Sequence, residues 1–187
     1  MAGHSKWAQI KRQKGVTDAA RSRTFSKFAR LITIESKKTG GQVTAPSLAA
    51  VIARAKAVNM PKDNIERAVA KGASKEANDL EQVVYEFYGP SGAAVIVNAL
   101  TDNKNRTTAE IKHMLSKNGY ELGTPGSAVW AFSKGGGGSL TPNEPLMDVS
   151  GDDEERLGNL LELLDEHEDV QDVVTNARGY ESTSDEE

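Results

Sequence analysis

The sequence predicts an α/β protein of the α+β kind, with an N-terminal three-helix domain followed by a small mixed-sheet α/β domain. Apolar residues recur at helical spacing through residues 1–75, and β-branched and aromatic runs begin after residue 79. Charge is also polarised: residues 1–75 hold sixteen Lys/Arg and four Asp/Glu, whereas residues 135–187 hold two and sixteen. We therefore predict a basic helical domain, a split α/β domain (79–134 plus 146–177), a Gly-rich linker (135–145) and an acidic tail (178–187).

The first predicted helix runs from Thr17 and Asp18, which can cap it, to about residue 38, where Gly40 and Gly41 end it. At 100° per residue its basic side chains fall on one side and its apolar side chains on the other. The basic side consists of Arg23, Lys27, Arg30, Lys37 and Lys38, and the apolar side of Phe25, Phe28, Ala29 and Ile32. We expect the apolar side to pack and the basic side to face an anionic partner.

Two shorter helices complete the predicted bundle. Pro46 and Ser47 begin one, and Pro61 occupies a first helical position in the other, which Gly72 is expected to end. Apolar residues at core spacing follow each proline. Short connections between the three helices predict a compact bundle.

The second domain is predicted from a change of period. Runs at 83–88 and 93–100 flank Gly89-Pro90-Ser91-Gly92 and predict a hairpin. A helix is expected at 107–118, a strand at 127–132, a helix at 152–166 and a strand at 170–175. This order suits a small mixed sheet covered by helices on one face.

Composition narrows the functional class. The chain of 187 residues has no cysteine, so disulfides, thiolate metal sites and Cys nucleophiles are excluded. No apolar run approaches the roughly 20 residues of a membrane span, and we expect a cytoplasmic protein without a membrane partner. His4, His113 and His167 are far apart and lack partners at useful spacing. We predict no catalytic residue, no metal and no cofactor, and therefore no enzyme.

The basic block predicts a nucleic-acid partner, because each Lys or Arg that meets a phosphate releases a condensed counterion. The patterns of helix-turn-helix, zinc-finger, basic-zipper and aromatic RNA-recognition modules are missing from the sequence, so recognition of backbone and shape is favoured over base reading. Trp7 either stacks on a base or anchors the N-terminal arm on the bundle. The loop before the 107–118 helix is expected to be capped by Asn105 or Asp102, and its amides, Lys104 and Arg106 could hold a phosphate. The predicted binding residues are Lys6, Trp7, Lys11, Arg12, Lys14, Arg23, Lys27, Arg30, Lys37, Lys38, Asn103, Lys104 and Arg106.

Four separated motifs carry a resemblance to a known family. They are GHSKW at 3–7 with Ile10-Lys11, NMPKDNIERA at 59–68, YGP at 88–90 and LTDNKNRT at 100–107. Together they resemble the YebC family, which includes YebC/PmpR-type regulators and a branch of mitochondrial translational activators. The similarity runs from residue 2 to about 134 and resumes over 148–177.

The resemblance implies three domains, one of them inserted into another. Residues 135–139 read GGGGS, the unit of a flexible linker, at the position where the family carries the inserted domain. Such a domain needs at least about 50 residues to fold, so we expect it to have been replaced here by the linker.

The resemblance also implies a non-enzymatic regulator of gene expression. One implied role is a translation factor that contacts rRNA or tRNA on the ribosome and assists elongation at proline-rich stall sites. The alternative is a transcriptional regulator that binds duplex DNA. We favour the ribosome, because a molecule with an acidic end fits structured RNA better than a duplex, and we favour a monomer.

Overall fold

A computed structural model of the chain describes residues 17–74, 80–135 and 139–180. Within these ranges the elements are α1 (Asp18–Thr39), α2 (Pro46–Ala57), α3 (Lys62–Ala73), β1 (Glu81–Tyr88), β2 (Ala94–Thr101), α4 (Lys104–Lys117), β3 (Phe132–Lys134), β4 (Leu140–Pro142), α5 (Asp152–Asp165) and β5 (Val170–Thr175). The predicted α/β class is confirmed. Among the described helices, none is long and apolar enough to cross a membrane.

The caps of α1 are those that the sequence predicts. The Thr17 side chain accepts a hydrogen bond from the Ala20 amide at 3.2 Å, which satisfies one of the amides that have no partner inside the helix. At the other end Gly40 has φ +62°, and its amide donates to the Ser36 carbonyl. Helices commonly end at a residue in the left-handed conformation, and glycine adopts that conformation without the steric cost of a Cβ.

The three helices share a core made by the apolar side of α1 and the inner faces of α2 and α3. The fully or largely buried members are Ile32, Leu48, Ala55, Met60, Ile65 and Ala68. The predicted stop at Gly72 is wrong, because Gly72 lies inside α3, which continues to Ala73. A Cβ built on Gly72 would stand 2.3 Å from the Thr33 carbonyl oxygen of α1. This glycine is required by the close approach of two helices rather than by a helix end.

The α/β part is built on a three-stranded sheet of order β1-β2-β5. Both pairings are antiparallel, with Tyr88 opposite Ala94 in one and Val97 opposite Val173 in the other. The sheet is therefore antiparallel where a mixed sheet was expected, and the parallel component is a single bridge between Met147 and Ala177. Helices α4 and α5 cover one face through Ile111, Leu115, Leu157, Leu160, Leu161 and Leu164.

The opposite face of the sheet is covered in part by the segment that leads into β3. Ala128, Ala131 and Phe132 pack there against Ile96 and Val174. The strand expected at 127–132 is wrong in extent: a 3₁₀ turn occupies Val129–Ala131 and the strand begins at Phe132. Strand β4 pairs with β3 inside the segment expected to be a linker, and the Gly135 amide donates to the Ser139 carbonyl at 2.8 Å.

Helix α4 begins three residues before its expected start. Its N-cap is Asn103, whose side-chain oxygen accepts from the Arg106 amide at 3.1 Å. The expected caps, Asn105 and Asp102, lie on either side of it. The Thr101 hydroxyl accepts from the Asn103 amide at 2.9 Å, which holds Asn103 in the capping position.

Candidate nucleic-acid interface

The basic side of α1 lies against an acidic turn of the same chain, residues 165–169, which joins α5 to β5. Lys27 Nζ donates to Asp165 Oδ1 at 2.9 Å and to the Asp165 carbonyl at 2.8 Å. Arg23 pairs with Glu166 at 3.3 Å. The anionic partner predicted for this side of the helix is therefore, for these residues, a part of the protein itself.

The centre of the contact is Asp169, whose side chain is fully buried. Its carboxylate accepts from Arg30, from Arg106 at 2.7 Å and from the Thr107 hydroxyl at 2.7 Å. Burial on its own raises the pKa of Asp169, but the hydrogen bonds from Thr107 and Arg106 and the charges of Arg30 and Arg106 outweigh it and lower the pKa. Arg30 also donates to the Leu100 carbonyl at 3.1 Å. The Asp169 carboxylate and Arg30 therefore together connect α1 with β2, with α4 and with the residue that precedes β5.

The structure separates the predicted binding residues into three groups. Arg23, Lys27, Arg30 and Arg106 contact carboxylates, and Asn103 caps α4. Lys37, Lys38 and Lys104 are exposed, with Lys38 Nζ 2.6 Å from Glu35. The remaining five, Lys6, Trp7, Lys11, Arg12 and Lys14, lie outside the described residues. Contact of any of these residues with nucleic acid stays a prediction.

Sequence reasoning missed the exposed cations on the other two helices of the bundle. They are Arg54, Lys56, Lys62, Arg67 and Lys71. Their positions alternate with the buried residues of α2 and α3, so the helical period used to find the core also marks them as outward-facing. Residues 17–74 contain eleven Lys/Arg and four Asp/Glu, a net charge of +7.

A cleft of about 500 Å³ lies where the bundle meets the α/β part. From α1 the lining residues are Ser22, Phe25, Ser26, Ala29, Arg30 and Thr33. From the 59–68 motif and the rest of α3 they are Met60, Asn64, Arg67, Ala68 and Lys71. Leu80 and Asp102 complete the lining. Two of the four motifs singled out in the sequence thus meet at one depression. Its lining carries three cations and one carboxylate.

One cluster has the composition of a metal site. The ligand atoms of Glu110, His167 and Asp169 lie within 4.8 Å of one another, the one such group in the described ranges. His167 Nδ1 accepts from the Asp169 amide at 3.2 Å, so Nε2 carries the hydrogen that faces Glu110 Oε2 at 3.0 Å. Because Asp169 is already held by two guanidinium groups and a hydroxyl, the cluster is an ion-pair network.

A second carboxyl group with a displaced pKa, that of Glu86, lies on the partly covered face of the sheet. Glu86 accepts from the backbone amides of Gly126, Ala128 and Val129 at 2.7, 2.7 and 2.8 Å. Burial raises its pKa, yet the three amides together lower it below the ordinary value. Glu86 therefore fixes the loop that carries Trp130, whose side chain is exposed.

These features define a class of protein: a basic helical bundle joined by ion pairs to an α/β part of opposite charge. The family model for the TACO1/YebC protein N-terminal domain matches residues 5–75 of the sequence. The family model for the TACO1/YebC second and third domain matches residues 80–144. The chain belongs to the TACO1/YebC family.

Individual relatives agree with this assignment. The chain is 42% identical over 195 residues to a probable transcriptional regulatory protein of Desulfatibacillum aliphaticivorans, covering 97% of this chain and 78% of the relative. It is 49% identical over 155 residues to one from Francisella tularensis subsp. novicida, covering 80% and 62%, respectively. A crystal structure of the conserved hypothetical protein Aq1575 from Aquifex aeolicus superposes with a TM-score of 0.76 at 28% identity, covering 86% of this chain and 91% of that one.

The matched share of the relatives differs between them. It is 78% for the Desulfatibacillum protein but only 55–62% for several others, including the one from Chromohalobacter salexigens. The chain therefore spans little more than half the length of some relatives.

Proposed function

We propose that the protein is a non-enzymatic, nucleic-acid-binding regulator of gene expression that acts on ribosomal RNA as a translation factor. The observation that carries the proposal is the exposed basic surface of the helical bundle. It remains cationic after Arg23, Lys27 and Arg30 have met carboxylates of the acidic turn. Nucleic acids, through their phosphate groups, are the abundant polyanions that such a surface binds.

The distribution of charge supports RNA held within a larger assembly. The bundle is positive, whereas α5 opens with Asp152, Asp153, Glu154 and Glu155, where a helix N-terminus stabilises negative charge. A polyanion that approaches the bundle is repelled by the acidic end of the molecule. This polarity orients the protein on folded RNA more readily than it allows sliding along a uniform duplex.

The two carboxyl groups with displaced pKa values support a non-enzymatic role. Asp169 and Glu86 both have lowered pKa values, and both are saturated by donors of the protein. A general acid or base needs a pKa near the working pH and access to substrate. Both carboxylates instead do structural work at the junctions between elements.

A second candidate is a DNA-binding transcriptional regulator, which the names of the relatives favour. One structural feature agrees with it: α2 and α3 are joined by the four residues 58–61, and Asn59 in that turn has φ +60°. Connections of three or four residues are typical of helix-turn-helix pairs. In this candidate α3 presents Lys62 and Arg67 to the duplex.

The test is cosedimentation with purified ribosomes over a salt series, with duplex DNA as competitor. The variant Lys37→Glu/Lys38→Glu/Lys56→Glu changes the bundle, and Lys112→Glu/Lys117→Glu/Lys134→Glu makes the same charge change on the α/β part. If about six phosphates are neutralised, the log–log salt slope is roughly −4 to −5.

Loss of pelleting in the bundle variant alone, with little effect of DNA, supports the translation role. Absence of pelleting together with sequence-dependent DNA binding supports the transcriptional role. Failure to bind either polymer at low salt overturns the proposal.

A further inference from the structure

We infer that the cleft between the bundle and the α/β part binds one unpaired nucleotide of a nucleic-acid strand. The inference rests on the proposed function and names the place where that function holds its ligand most closely. The cleft measures about 500 Å³, within the range of 300 to 1,000 Å³ typical of sites for small organic groups. A nucleotide is a group of this size.

The floor of the cleft is apolar and suits a base. Phe25 and Ala29 line it from α1, and Met60 and Ala68 line it from the 59–68 motif, with the latter two buried. A base has two apolar faces that lose little on leaving water, and an aromatic side chain such as Phe25 can stack on one of them. This apolar floor does not discriminate between the different bases.

The rim of the cleft is polar and suits a sugar and a phosphate. Ser22, Ser26 and Asn64 offer hydrogen-bonding groups, and Arg67 and Lys71 offer positive charge. Arg67 is positioned by its own helix, since its guanidinium donates to the Asn64 side chain and, through Nε, to the Asp63 carbonyl at 3.3 Å. Its other nitrogen, Nη1, is left to donate to a phosphate oxygen.

The charges in the cleft are not all available to a ligand. Arg30 is held by Asp169 and the Leu100 carbonyl, and Asp102 lies 3.3 Å from Arg106. In contrast, neither Arg67 nor Lys71 has a carboxylate partner within residues 17–74, 80–135 and 139–180. These two cations face an opening whose one carboxylate is already neutralised by Arg106.

The arrangement favours an unpaired nucleotide over a duplex. A base in a duplex is stacked on both sides and cannot reach a depression floored by side chains. A nucleotide from a loop or a single strand can enter, with its phosphate toward Arg67 and Lys71 of α3. Flexible strands of RNA and of DNA share this chemistry.

The experiment measures fluorescence anisotropy of labelled 12-nucleotide RNA and DNA single strands and of the same DNA as duplex. Arg67→Gln/Lys71→Gln removes the two rim cations, and Lys112→Gln/Lys117→Gln removes two exposed charges from α4. We expect the rim variant to bind more weakly and to lose about 1.4 from its salt slope, which is the coefficient for two phosphates on a single strand. The α4 variant should keep the slope of the parent.

A second variant blocks the cleft without changing charge. Ser26→Trp places a large side chain on the exposed part of α1 at the rim, and Thr44→Trp places one on the exposed α1–α2 connection. Ser26→Trp should weaken binding of both single strands, and Thr44→Trp should not. Photocrosslinking of RNA that carries 4-thiouridine should modify peptides within 22–33 or 60–71.

The outcomes separate the inference from the proposed function. Unchanged binding by the rim and Ser26→Trp variants, with wild-type affinity for RNA intact, overturns the cleft as the site and leaves the proposed function standing. Absence of binding by the unaltered protein overturns both. If the part of the affinity that the rim and Ser26→Trp variants remove is larger for RNA than for DNA, the 2′-hydroxyl is a recognised group. Competition by free AMP indicates a site for a single nucleotide, and lack of competition indicates that a longer strand is needed.

Discussion

Arg106, in the first turn of α4, donates to the buried carboxylate of Asp169 at 2.7 Å across the junction between α4 and β5. Arg30 of α1 reaches the same carboxylate from the helical bundle. One acidic residue therefore connects the two parts of the protein. Because charges removed from water are costly unless they are paired, this residue makes the docking of α1 depend on the integrity of the α/β part.

We expect Asp169→Asn to lower the free energy of unfolding by about 3 kcal/mol, since it leaves two guanidinium groups without the charge they face. The amide NH2 of the new Asn side chain would also face the guanidinium donors of Arg30 or Arg106, to which it cannot donate a hydrogen bond. Urea denaturation followed by circular dichroism measures the change. Glu168→Gln is the control, because Glu168 is 70% exposed and 3.9 Å from Arg30, and it should change stability by less than about 0.5 kcal/mol. Equal effects of the two substitutions would contradict this account.

Stability should fall as the solution is acidified. Asp169 and Glu86 have pKa values below their ordinary 3.8 and 4.5, so near pH 4 the unfolded chain binds more protons than the folded protein. Their contribution is present above the unfolded pKa values and is lost as pH falls through the folded ones. Urea midpoints measured from pH 6 to pH 2.5 should decline in the parent protein. The decline should be shallower in Asp169→Asn, and an identical pH profile would count against the assignment.

Glu86→Gln should loosen the loop that carries Trp130. The carboxylate uses two oxygens to accept three backbone amides, and an amide side chain keeps only one acceptor oxygen. We expect a loss of about 2 kcal/mol and faster hydrogen exchange at the three amides, from Gly126 to Val129. The exposed Glu121 provides the control, since Glu121→Gln removes the same charge nearby in sequence and should alter neither quantity.

Gly72→Ala distinguishes helix propensity from packing. In an exposed helix the substitution would stabilise by about 1 kcal/mol. Here the new Cβ would lie 2.3 Å from the Thr33 carbonyl oxygen and 2.6 Å from the Ser36 Cβ, so we expect a net loss of about 2 kcal/mol from overpacking. Ala70→Gly on the exposed side of α3 measures the propensity term alone. A stabilised Gly72→Ala variant would show that α1 and α3 can separate freely.

The success and failure of the sequence-based predictions have a physical pattern. Local rules identified the Thr17 cap, the Gly40 helix end and β5 over Val170–Thr175. The errors come from contacts between elements: Gly72 is needed by α1, and Asn103 is placed by Thr101. Likewise, helical period put Arg23, Lys27 and Arg30 on one side but could not show that the acidic turn, more than a hundred residues later, would meet them. Such distant pairings are fixed by the tertiary fold alone.

The acidic turn occupies part of the basic side of α1 that is predicted to bind nucleic acid, which gives the last prediction. The substitutions Asp165→Asn, Glu166→Gln and Glu168→Gln leave Asp169 in place and release Arg23 and Lys27 from their carboxylates. Each freed cation that meets a phosphate adds about 0.7 to the single-strand salt slope, so we expect tighter RNA binding and a slope steeper by about 1.4.

Removal of the exposed carboxylates of Glu121, Asp152 and Glu155 by the same kind of substitution supplies the control. It changes net charge equally, and none of the three forms an ion pair with α1 in the described part of the chain. Anisotropy titrations from 50 to 200 mM salt compare the two variants with the parent. An equal gain in both would mean that only overall charge matters. A gain confined to the acidic-turn variant would mean that α1 binds phosphate once its own carboxylates are withdrawn, and that the protein sets its affinity for nucleic acid through this turn.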